Sequence, residues 1–374
     1  EHTMPNNVIL YGSPLSLYTG KARSYFIKNT IPYTEIAPTN QHYAKTVLPA
    51  AGVQTMPTIE TEDKTVIRDG TAIIDHYERG NNFSASPHTA KQKIISRLFD
   101  VIGSEGLLRP AMHYRWHYQE NLPFITPHFR QMMPPVANRD ELTDKIMNKM
   151  RTACLAFGAN DDNKELVEEV YLEFLNLLNQ HFEQQPYLLG GKPCIGDFGL
   201  IAPMYAHLGR DPKPLSIMQT QAVAAYRWVE RMNRPEADCG EFGSNSNAFL
   251  ANDEIPATLI ALLKHIAEDF VPETLAAAKC INDWLDTQPT LAANTAIERG
   301  VGFGEFELRG TKITALAQPY RFYLLKRMQD DYAQLTEQDQ TEVKSLLNEC
   351  GLSELLTCTI SRDITRHNNL EVWC

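Results

Sequence analysis

Two segments of the sequence place hydroxyl and carboxylate side chains at the predicted start of a helix. Ser16 opens a run with helical spacing that extends to Asn29, and Asp69-Gly70-Thr71 opens a second run through Tyr77. A helix N-terminus offers free backbone N–H groups and the positive end of the helix dipole, so it attracts anions. Ser16 is therefore a candidate hydroxyl donor to a small anion. The alternative is that Ser16 and Asp69 only cap their helices, since both residue types are preferred there.

A third group of polar and aromatic side chains recurs along one helical face. Its members follow the spacing i, i+3, i+4, i+7 and i+8, which places them on one side of a helix: Arg109, Met112, His113, Trp116 and His117. Such a face could line a pocket for a partly apolar, anionic molecule, with His113 as an acid or base. The alternative is a helix packed against the C-terminal part of the chain, with these groups satisfied internally.

The first 85 residues predict alternating strands and helices. The spacing predicts a strand over 7–11, the helix from Ser16, a strand over 31–36, a helix over 41–50, and a hairpin of strands at 57–60 and 65–68 before the helix at Gly70. The order is βαβ followed by ββα, which indicates one parallel pair and an antiparallel edge. Pro57 fits the first position of its strand, and a cis Met56-Pro57 bond would leave the Met56 N–H and C=O free for a ligand.

From His88 onward the pattern is helical, and the chain divides into three predicted segments: 1–85, 86–236 and 237–374. Pro110 predicts a kink or break near Arg109, and the proline-rich stretch 119–140 predicts an irregular insertion. Arg210 and Asp211 are expected to form a local ion pair. The last segment predicts further helices and one hairpin, with strands near 304–309 and 312–316.

Composition narrows the functional class. The formal charge of −11 argues against nucleic acid and anionic membranes as partners. Seven scattered cysteines without a Cys-x-x-Cys pair favour reduced thiols over disulfides or zinc, and no metal site is predicted. Glu1 to Met4 lack the basic and apolar parts of a signal peptide, so we expect a cytoplasmic protein.

Five local patterns, in this order and spacing, resemble the glutathione transferase superfamily over roughly residues 7–235. They are the block Lys21-Ala22-Arg23 to Phe26, then Ile31-Pro32-Tyr33, Met56-Pro57-Thr58-Ile59, Asp69-Gly70-Thr71-Ala72-Ile73-Ile74, and Tyr187-Leu188-Leu189-Gly190-Gly191 through Asp197. The resemblance implies a thioredoxin-like α/β N-terminal domain and an all-α glutathione transferase C-terminal domain. Residues 237–374 would form an additional, mostly helical extension, as in long bacterial members of the superfamily.

The resemblance also implies a site for glutathione as co-substrate. Met56 and Pro57 would hold the cysteinyl backbone, and Asp69, Gly70 and Thr71 the γ-glutamyl group. Gly70 replaces the family's serine, so we expect weakened affinity. Ser16 aligns with the catalytic position and would donate its hydroxyl to the sulfur. Lower-ranked substitutes are Tyr18, which aligns with the reactive position of another class, Ser13 and Tyr11.

Two functions follow as hypotheses. The first is a glutathione transferase-like enzyme, a homodimer as is usual in the superfamily, that activates the glutathione thiolate for attack on a small electrophile bound near Met112, His113 and Trp116. The alternative is a non-catalytic binding or scaffold protein with the same fold, which Gly70 and the long extension favour. No cysteine precedes Cys154, so thiol–disulfide exchange in the N-terminal cleft is disfavoured.

Overall fold

The computed structural model describes residues 7–374. The expectation about a signal peptide concerns Glu1 to Met4 and lies outside this range. The N-terminal elements follow the predicted order: β1 (Val8–Tyr11), α1 (Leu17–Lys28), β2 (Tyr33–Ile36), α2 (Leu48–Ala51), β3 (Thr58–Glu60), β4 (Val66–Arg68) and α3 (Gly70–Arg79). The α2 region begins with a π-helical turn, Tyr43–Val47.

Across residues 7–374, these strands form a mixed sheet in the order β2-β1-β3-β4. β1 pairs in parallel with β2, with Val8 opposite Tyr33, and antiparallel with β3, with Tyr11 opposite Thr58. β4 pairs antiparallel with β3 and forms one edge of the sheet. The predicted βαβ–ββα order and its one parallel pair are confirmed, and they give a thioredoxin-like domain.

A helical domain follows. Its helices are α4 (Ala90–Val101), α5 (Leu108–Trp116), α6 (Leu122–Gln131), α7 (Arg139–Ala156), α8 (Lys164–Gln184), α9 (Ile195–Ala206), α10 (Pro212–Gln221) and α11 (Val223–Met232). A π-helical turn, Ile102–Gly106, joins α4 to the break at Leu107. Pro110 lies in the first turn of α5, where its missing N–H is tolerated, so the predicted break is confirmed just before it.

Two predictions for this domain were wrong. The stretch 119–140 contains helix α6: Pro123 lies in its first turn, and burial of Ile125 and Phe129 outweighs the interruption at Pro127. Asp211 pairs with Arg115 through an Nε–Oδ2 distance of 2.7 Å and not with Arg210. The partner of Asp211 comes from a helix about a hundred residues away, which local spacing could not reveal.

The C-terminal segment contains α12 (Ala257–Asp286), β5 (Phe303–Leu308), β6 (Thr311–Leu316), α13 (Pro319–Ala333), α14 (Glu337–Cys350), β7 (Ile364–His367) and β8 (Leu370–Trp373). The predicted hairpin is β5–β6. The second hairpin, β7–β8, was missed. It turns at Asn368-Asn369, both with positive φ, as two-residue hairpin loops require.

The C-terminal segment packs directly on the rest of the protein. One continuous hydrophobic core includes Leu10 of β1, Phe99 of α4, Leu324 of α13 and Trp373 of β8. Arg327 of α13 also pairs with the Asp75 carboxylate through two contacts of 2.7 Å. The segment boundaries after residues 85 and 236 stay predictions. Among residues 7–374, no helix is long and apolar enough to cross a membrane.

Candidate functional site

Ser16 lies at the N-cap of α1. Its φ and ψ are −78° and 119°, and its Oγ accepts a hydrogen bond of 3.3 Å from the Thr19 backbone N–H. Because Oγ uses only its acceptor side in this bond, the hydroxyl proton remains available. Capping and hydrogen-bond donation to an anion are therefore compatible at this residue.

The three alternative hydroxyls are placed differently. Tyr18 donates to Glu105 Oε1 over 3.2 Å, so it is paired within the protein. Ser13 is buried, and its Oγ accepts from the Leu15 N–H at 3.2 Å. Tyr11 is buried against the Tyr43 ring, with ring centroids 5.0 Å apart. Ser16 remains the most available hydroxyl of the four.

Glu105 was not singled out from the sequence. It lies in the π-helical turn after α4, is 2 % exposed, and its Oε2 has no hydrogen-bond partner among residues 7–374. Burial raises the pKa of its carboxyl group to about 7, although Arg321 and Arg299 act to lower it. Burial and the Glu105 charge likewise raise the pKa of Tyr18 well above its ordinary value.

The Met56-Pro57 peptide bond is cis. Pro57 is buried and its C=O accepts from the Asp69 N–H at 3.0 Å, which links the start of β3 to the start of α3. Within residues 7–374, the N–H and C=O of Met56 make no hydrogen bond. We call the region between Met56-Pro57 and Asp69-Thr71 the N-terminal cleft. Its Met56-Pro57 end retains two free backbone groups of the kind that can pair with an extended peptide.

The start of α3 is arranged differently, because a tyrosine of the C-terminal segment contacts it. Tyr320, in the first turn of α13, donates its hydroxyl to both Asp69 oxygens at 2.9 Å. The Tyr320 oxygen also lies 3.2 Å from Thr71 Oγ, which accepts from Lys21 Nζ at 2.9 Å. Since the Tyr320 proton points to Asp69, the Thr71 hydroxyl donates to Tyr320. Asp69 makes no capping bond to its own helix, so the capping alternative is not observed for it.

Gly70 lies against the stem of Lys21. A Cβ added to Gly70 would lie 3.3 Å from Lys21 Cδ, which is closer than ordinary contact. Lys21 is 3 % exposed and held by Asp100 Oδ1 at 2.6 Å, so its stem has little freedom to move. The space that a serine side chain would use at this position is therefore partly taken by Lys21.

The β7–β8 hairpin covers the edge strand β4. The Asn369 side chain donates to the Val66 C=O at 3.0 Å, and its backbone O accepts from Arg68 Nε at 2.7 Å. Glu371 pairs with Arg68 and, at 2.7 Å, with Arg366. Burial and the nearby Asp69 raise the pKa of Glu371, while the two arginines lower it.

The predicted electrophile-binding face of α5 is buried. Met112, His113 and Trp116 are 4 %, 1 % and 5 % exposed. His113 Nε2 lies 3.0 Å from Glu168 Oε1 of α8, and its Nδ1 lies 2.7 Å from His117 Nδ1. Burial lowers the pKa of His113, against the raising effect of Glu168. At His113 and Trp116 the face is packed within the protein, but against helices of the same domain and not against the C-terminal extension that the alternative named. His113 is paired, whereas the buried Trp116 Nε1 has no hydrogen-bond partner among residues 7–374.

Arg109, on the same face, contacts the extension. Its guanidinium pairs with Glu273 of α12 and lies 3.9 Å from Asp269 Oδ2. Arg321 of α13 approaches Glu273 from the other side at 3.1 Å. This buried network joins α5 to two helices of the C-terminal segment.

Comparison with known proteins identifies the N-terminal domain. Residues 10–87 match the family model described as "Glutathione S-transferase, N-terminal domain". The matched range contains Ser16, the cis Met56-Pro57 bond and the Asp69-Gly70-Thr71 turn. This match assigns residues 10–87 to the glutathione S-transferase N-terminal domain family.

Solved structures align with the chain at low identity. A glutathione S-transferase from Sinorhizobium meliloti 1021 is 12 % identical, covering 66 % of this chain and 97 % of its own, with a TM-score of 0.38. Glutathione transferase GSTFuA3 from Phanerochaete chrysosporium is 13 % identical, and the alignment covers 62 % of this chain and 97 % of GSTFuA3 with a TM-score of 0.44. FzlA from C. crescentus is 13 % identical, and the alignment covers 66 % of this chain and 97 % of FzlA with a TM-score of 0.39. No curated protein matches the chain significantly.

Proposed function

We propose that this chain is a non-catalytic member of the superfamily, a binding or scaffold protein whose own C-terminal segment occupies the γ-glutamyl end of the glutathione site. The observation that carries the proposal is the Tyr320 hydroxyl between Asp69 and Thr71. Asp69, the expected acceptor for a γ-glutamyl ammonium, already receives a hydrogen bond there. Thr71, the expected hydroxyl donor to a γ-glutamyl carboxylate, donates to Tyr320. The described residues therefore do not fit glutathione at this end.

The C-terminal segment behaves in this proposal as a fixed part of the fold and not as a lid. Trp373 and Leu324 are 0 % and 1 % exposed, and Arg321 is 4 % exposed. Lifting the segment would separate Arg68 from Glu371 and Arg109 from Glu273, and would expose core side chains. Exposing one fully buried large apolar side chain to water costs about 1.5–3 kcal/mol, and the segment buries several of them, so a spontaneous open state is rare.

A second candidate is the glutathione transferase-like enzyme expected from the sequence. The free N–H and C=O of Met56 and the available Ser16 proton favour it. In this candidate, Ser16, or Tyr18 in its place, donates to the glutathione sulfur, and Met112, His113 and Trp116 move to admit a small electrophile. Lowering the thiol pKa by about two units requires roughly 2.7 kcal/mol of differential stabilisation. Glutathione binding in this candidate also requires Tyr320 to leave Asp69. The enzyme therefore ranks second.

A glutathione titration separates the two candidates. Thermal unfolding of the wild type is followed with increasing reduced glutathione up to millimolar concentrations, and with glutamate at equal concentration as the ionic control. A ligand at a hundred times its dissociation constant stabilises a protein by about 2.7 kcal/mol. The proposed function predicts no rise in melting temperature beyond the glutamate control.

A conjugation assay with chlorodinitrobenzene completes the test. The proposal predicts the uncatalysed rate for the wild type and for Ser16→Ala alike. Catalysis by the wild type that is lost in Ser16→Ala would instead establish the enzyme. Catalysis that survives in Ser16→Ala would move the catalytic role to Tyr18 or Ser13, with Tyr18→Phe as the next variant.

The remaining expectations belong to this proposal as predictions. They are a homodimer, a cytoplasmic location, and the absence of nucleic acid and membranes among the partners. Size-exclusion chromatography with light scattering tests the first: a single-chain mass at micromolar concentration would contradict it.

A further inference from the structure

Three arginines gather where α1 meets the end of α9, away from the cleft described above. Arg23 lies seven residues beyond Ser16, so it is about 10 Å further along α1. Arg23 has a carboxylate partner, Glu35 of β2, through contacts of 2.6 and 2.8 Å. Arg115 has Asp211, also through two contacts, of 2.7 and 3.2 Å.

The third arginine, Arg210, has no carboxylate partner among residues 7–374. Its Nη2 donates over 3.0 Å to His128 Nε2, which is free to accept because the His128 Nδ1 proton bonds to the Phe124 C=O at 2.7 Å. The Arg210 guanidinium lies over the Phe124 ring at 5.0 Å and over the Tyr205 ring at 5.7 Å. Burial lowers the pKa of Arg210; Tyr205 and Asp211 act to raise it, and the charges of Arg23 and Arg115 act to lower it.

Two guanidinium nitrogens in this cluster are buried without a hydrogen-bond partner in the described part of the chain. They are Nη1 of Arg210 and Nη1 of Arg23. Arg23 is 7 % exposed, and its guanidinium lies over the same Tyr205 ring at 5.7 Å. Its Nη1 lies 3.8 Å from the Cβ position that a side chain at Gly20 would have.

A guanidinium that is removed from water and left without an oxygen partner is unfavourable. Planar guanidinium N–H groups match the oxygens of carboxylates and phosphates, commonly with two bonds at once. We propose that Arg210, with Arg23 and the Tyr205 ring, binds a small oxyanion, a carboxylate or a phosphate, at the junction of α1 and α9. The neighbouring acids do not compete for this place, because Glu35 and Asp211 are already bound bidentately by Arg23 and Arg115.

Isothermal titration of the full chain with sodium phosphate and, separately, sodium acetate tests this proposal at constant ionic strength set with sodium chloride. Saturable heat with either anion is the expected result, and the anion that gives it identifies the chemistry. Arg210→Met keeps the stem and removes the guanidinium, and should weaken binding at least tenfold. Arg130→Met is the matched control, because Arg130 pairs with Asp140 at the surface, and it should bind like the wild type.

Arg210→Lys is a second variant that tests the proposal if Arg210→Met does not fold. It keeps a positive charge on a long stem but lacks the paired N–H groups, so a several-fold loss of affinity is expected. The proposal is overturned if neither anion gives saturable heat with the wild type. It is also overturned if folded Arg210→Met, or folded Arg210→Lys, binds as tightly as the wild type.

Discussion

The two ends of the N-terminal cleft differ in how their polar groups are satisfied. At the Met56-Pro57 end, the cis bond is present and the Met56 N–H and C=O have no partner among residues 7–374. At the Asp69-Thr71 end, the Asp69 carboxylate and the Thr71 hydroxyl are both hydrogen-bonded to Tyr320. One end is left open for a ligand, and the other is completed by the protein itself.

Backbone geometry and side-chain availability are therefore separate requirements for a ligand site. The fold alone supplies the free backbone groups at Met56, since they follow from the course of the chain. Whether the Asp69 and Thr71 side chains are available to a ligand depends on which other parts of the chain pack against them. A chain can therefore match a family by its fold and its motif positions and still lack a vacant site.

The largest expected effect tests whether the covering hairpin is a fixed part of the fold. Glu371→Met on β8 leaves the buried Arg68 guanidinium without its carboxylate, so unfolding free energy should fall by about 3–5 kcal/mol in urea denaturation. Glu305→Met on β5 is the matched control, because Glu305 forms an exposed pair with Lys312 at 3.0 Å. Its effect should stay within about 1 kcal/mol. Equal effects would mean that β7–β8 is no more firmly docked than a surface hairpin.

The next effect is a pH dependence of stability that arises from Glu105, beside Tyr18. Burial raises the pKa of the Glu105 carboxyl group from 4.5 to about 7. Between these pH values the folded protein keeps the Glu105 proton and the unfolded chain releases it, so stability falls as the pH rises from about 4.5 to 7. A shift of this size corresponds to roughly 3 kcal/mol. Arg321, Arg299 and Asp69 also act on this group and are unchanged in Glu105→Gln.

Unfolding free energy measured across this pH range should fall less in Glu105→Gln than in the wild type. A residual fall is expected, because burial also raises the pKa of Asp197 and that of Asp269 to about 6. Glu342→Gln, on the exposed face of α14, should retain the wild-type slope. A Glu105→Gln curve parallel to the wild type would show that Glu105 is already ionised in the folded protein at low pH.

A smaller effect tests the filled end directly. Tyr320→Phe removes the hydroxyl that bonds to Asp69, and a hydrogen bond to a charged group contributes about 1.5–3 kcal/mol to stability. Tyr323→Phe is the control on the same helix, since its hydroxyl has no hydrogen-bond partner among residues 7–374; it should change stability by less than about 0.5 kcal/mol. Thermal or urea unfolding measures both. If Tyr320→Phe is as stable as the wild type, the Tyr320 hydroxyl does not hold the Asp69 carboxylate, and this end of the site is not filled by the protein.

The smallest expected effect restores the family's serine. Gly70→Ser brings a Cβ to 3.3 Å from Lys21 Cδ, so a loss of about 1 kcal/mol is expected from the crowding. Gly240→Ser is the control, because nothing lies within 4 Å of an added Cβ there. Glutathione should still give no stabilisation of Gly70→Ser, because Tyr320 remains on Asp69. A glutathione-dependent rise in its melting temperature would show that the missing serine, and not the extension, prevents binding.

Local pattern was sufficient to predict the N-terminal domain. The alternation of strands and helices, the proline at the start of β3 and the helix start at Ser16 are encoded within a few residues of one another. The hairpin β7–β8 also had a local signal that was missed: the Asn368-Asn369 pair lies between two short segments with β-branched or aromatic residues, Ile364-Thr365 and Val372-Trp373. Helix α6 was missed because its prolines were read as irregular structure, although Pro123 lies where a helix tolerates proline.

The occupant of the site could not be predicted from local pattern. Tyr320 is 251 residues from Asp69, and Arg68 is 303 residues from Glu371. At its own position, Pro319-Tyr320 indicates only the start of a helix. The pairing depends on how the C-terminal segment packs against α3, α4 and β4, which spacing along the chain does not encode.

A crystal structure of the wild-type protein soaked in millimolar glutathione tests directly whether Tyr320 occupies the γ-glutamyl end of the site. We expect the Tyr320 hydroxyl on the Asp69 carboxylate and no tripeptide beside Thr71. A glutathione molecule with its γ-glutamyl group between Asp69 and Thr71, and Tyr320 displaced, would contradict this expectation.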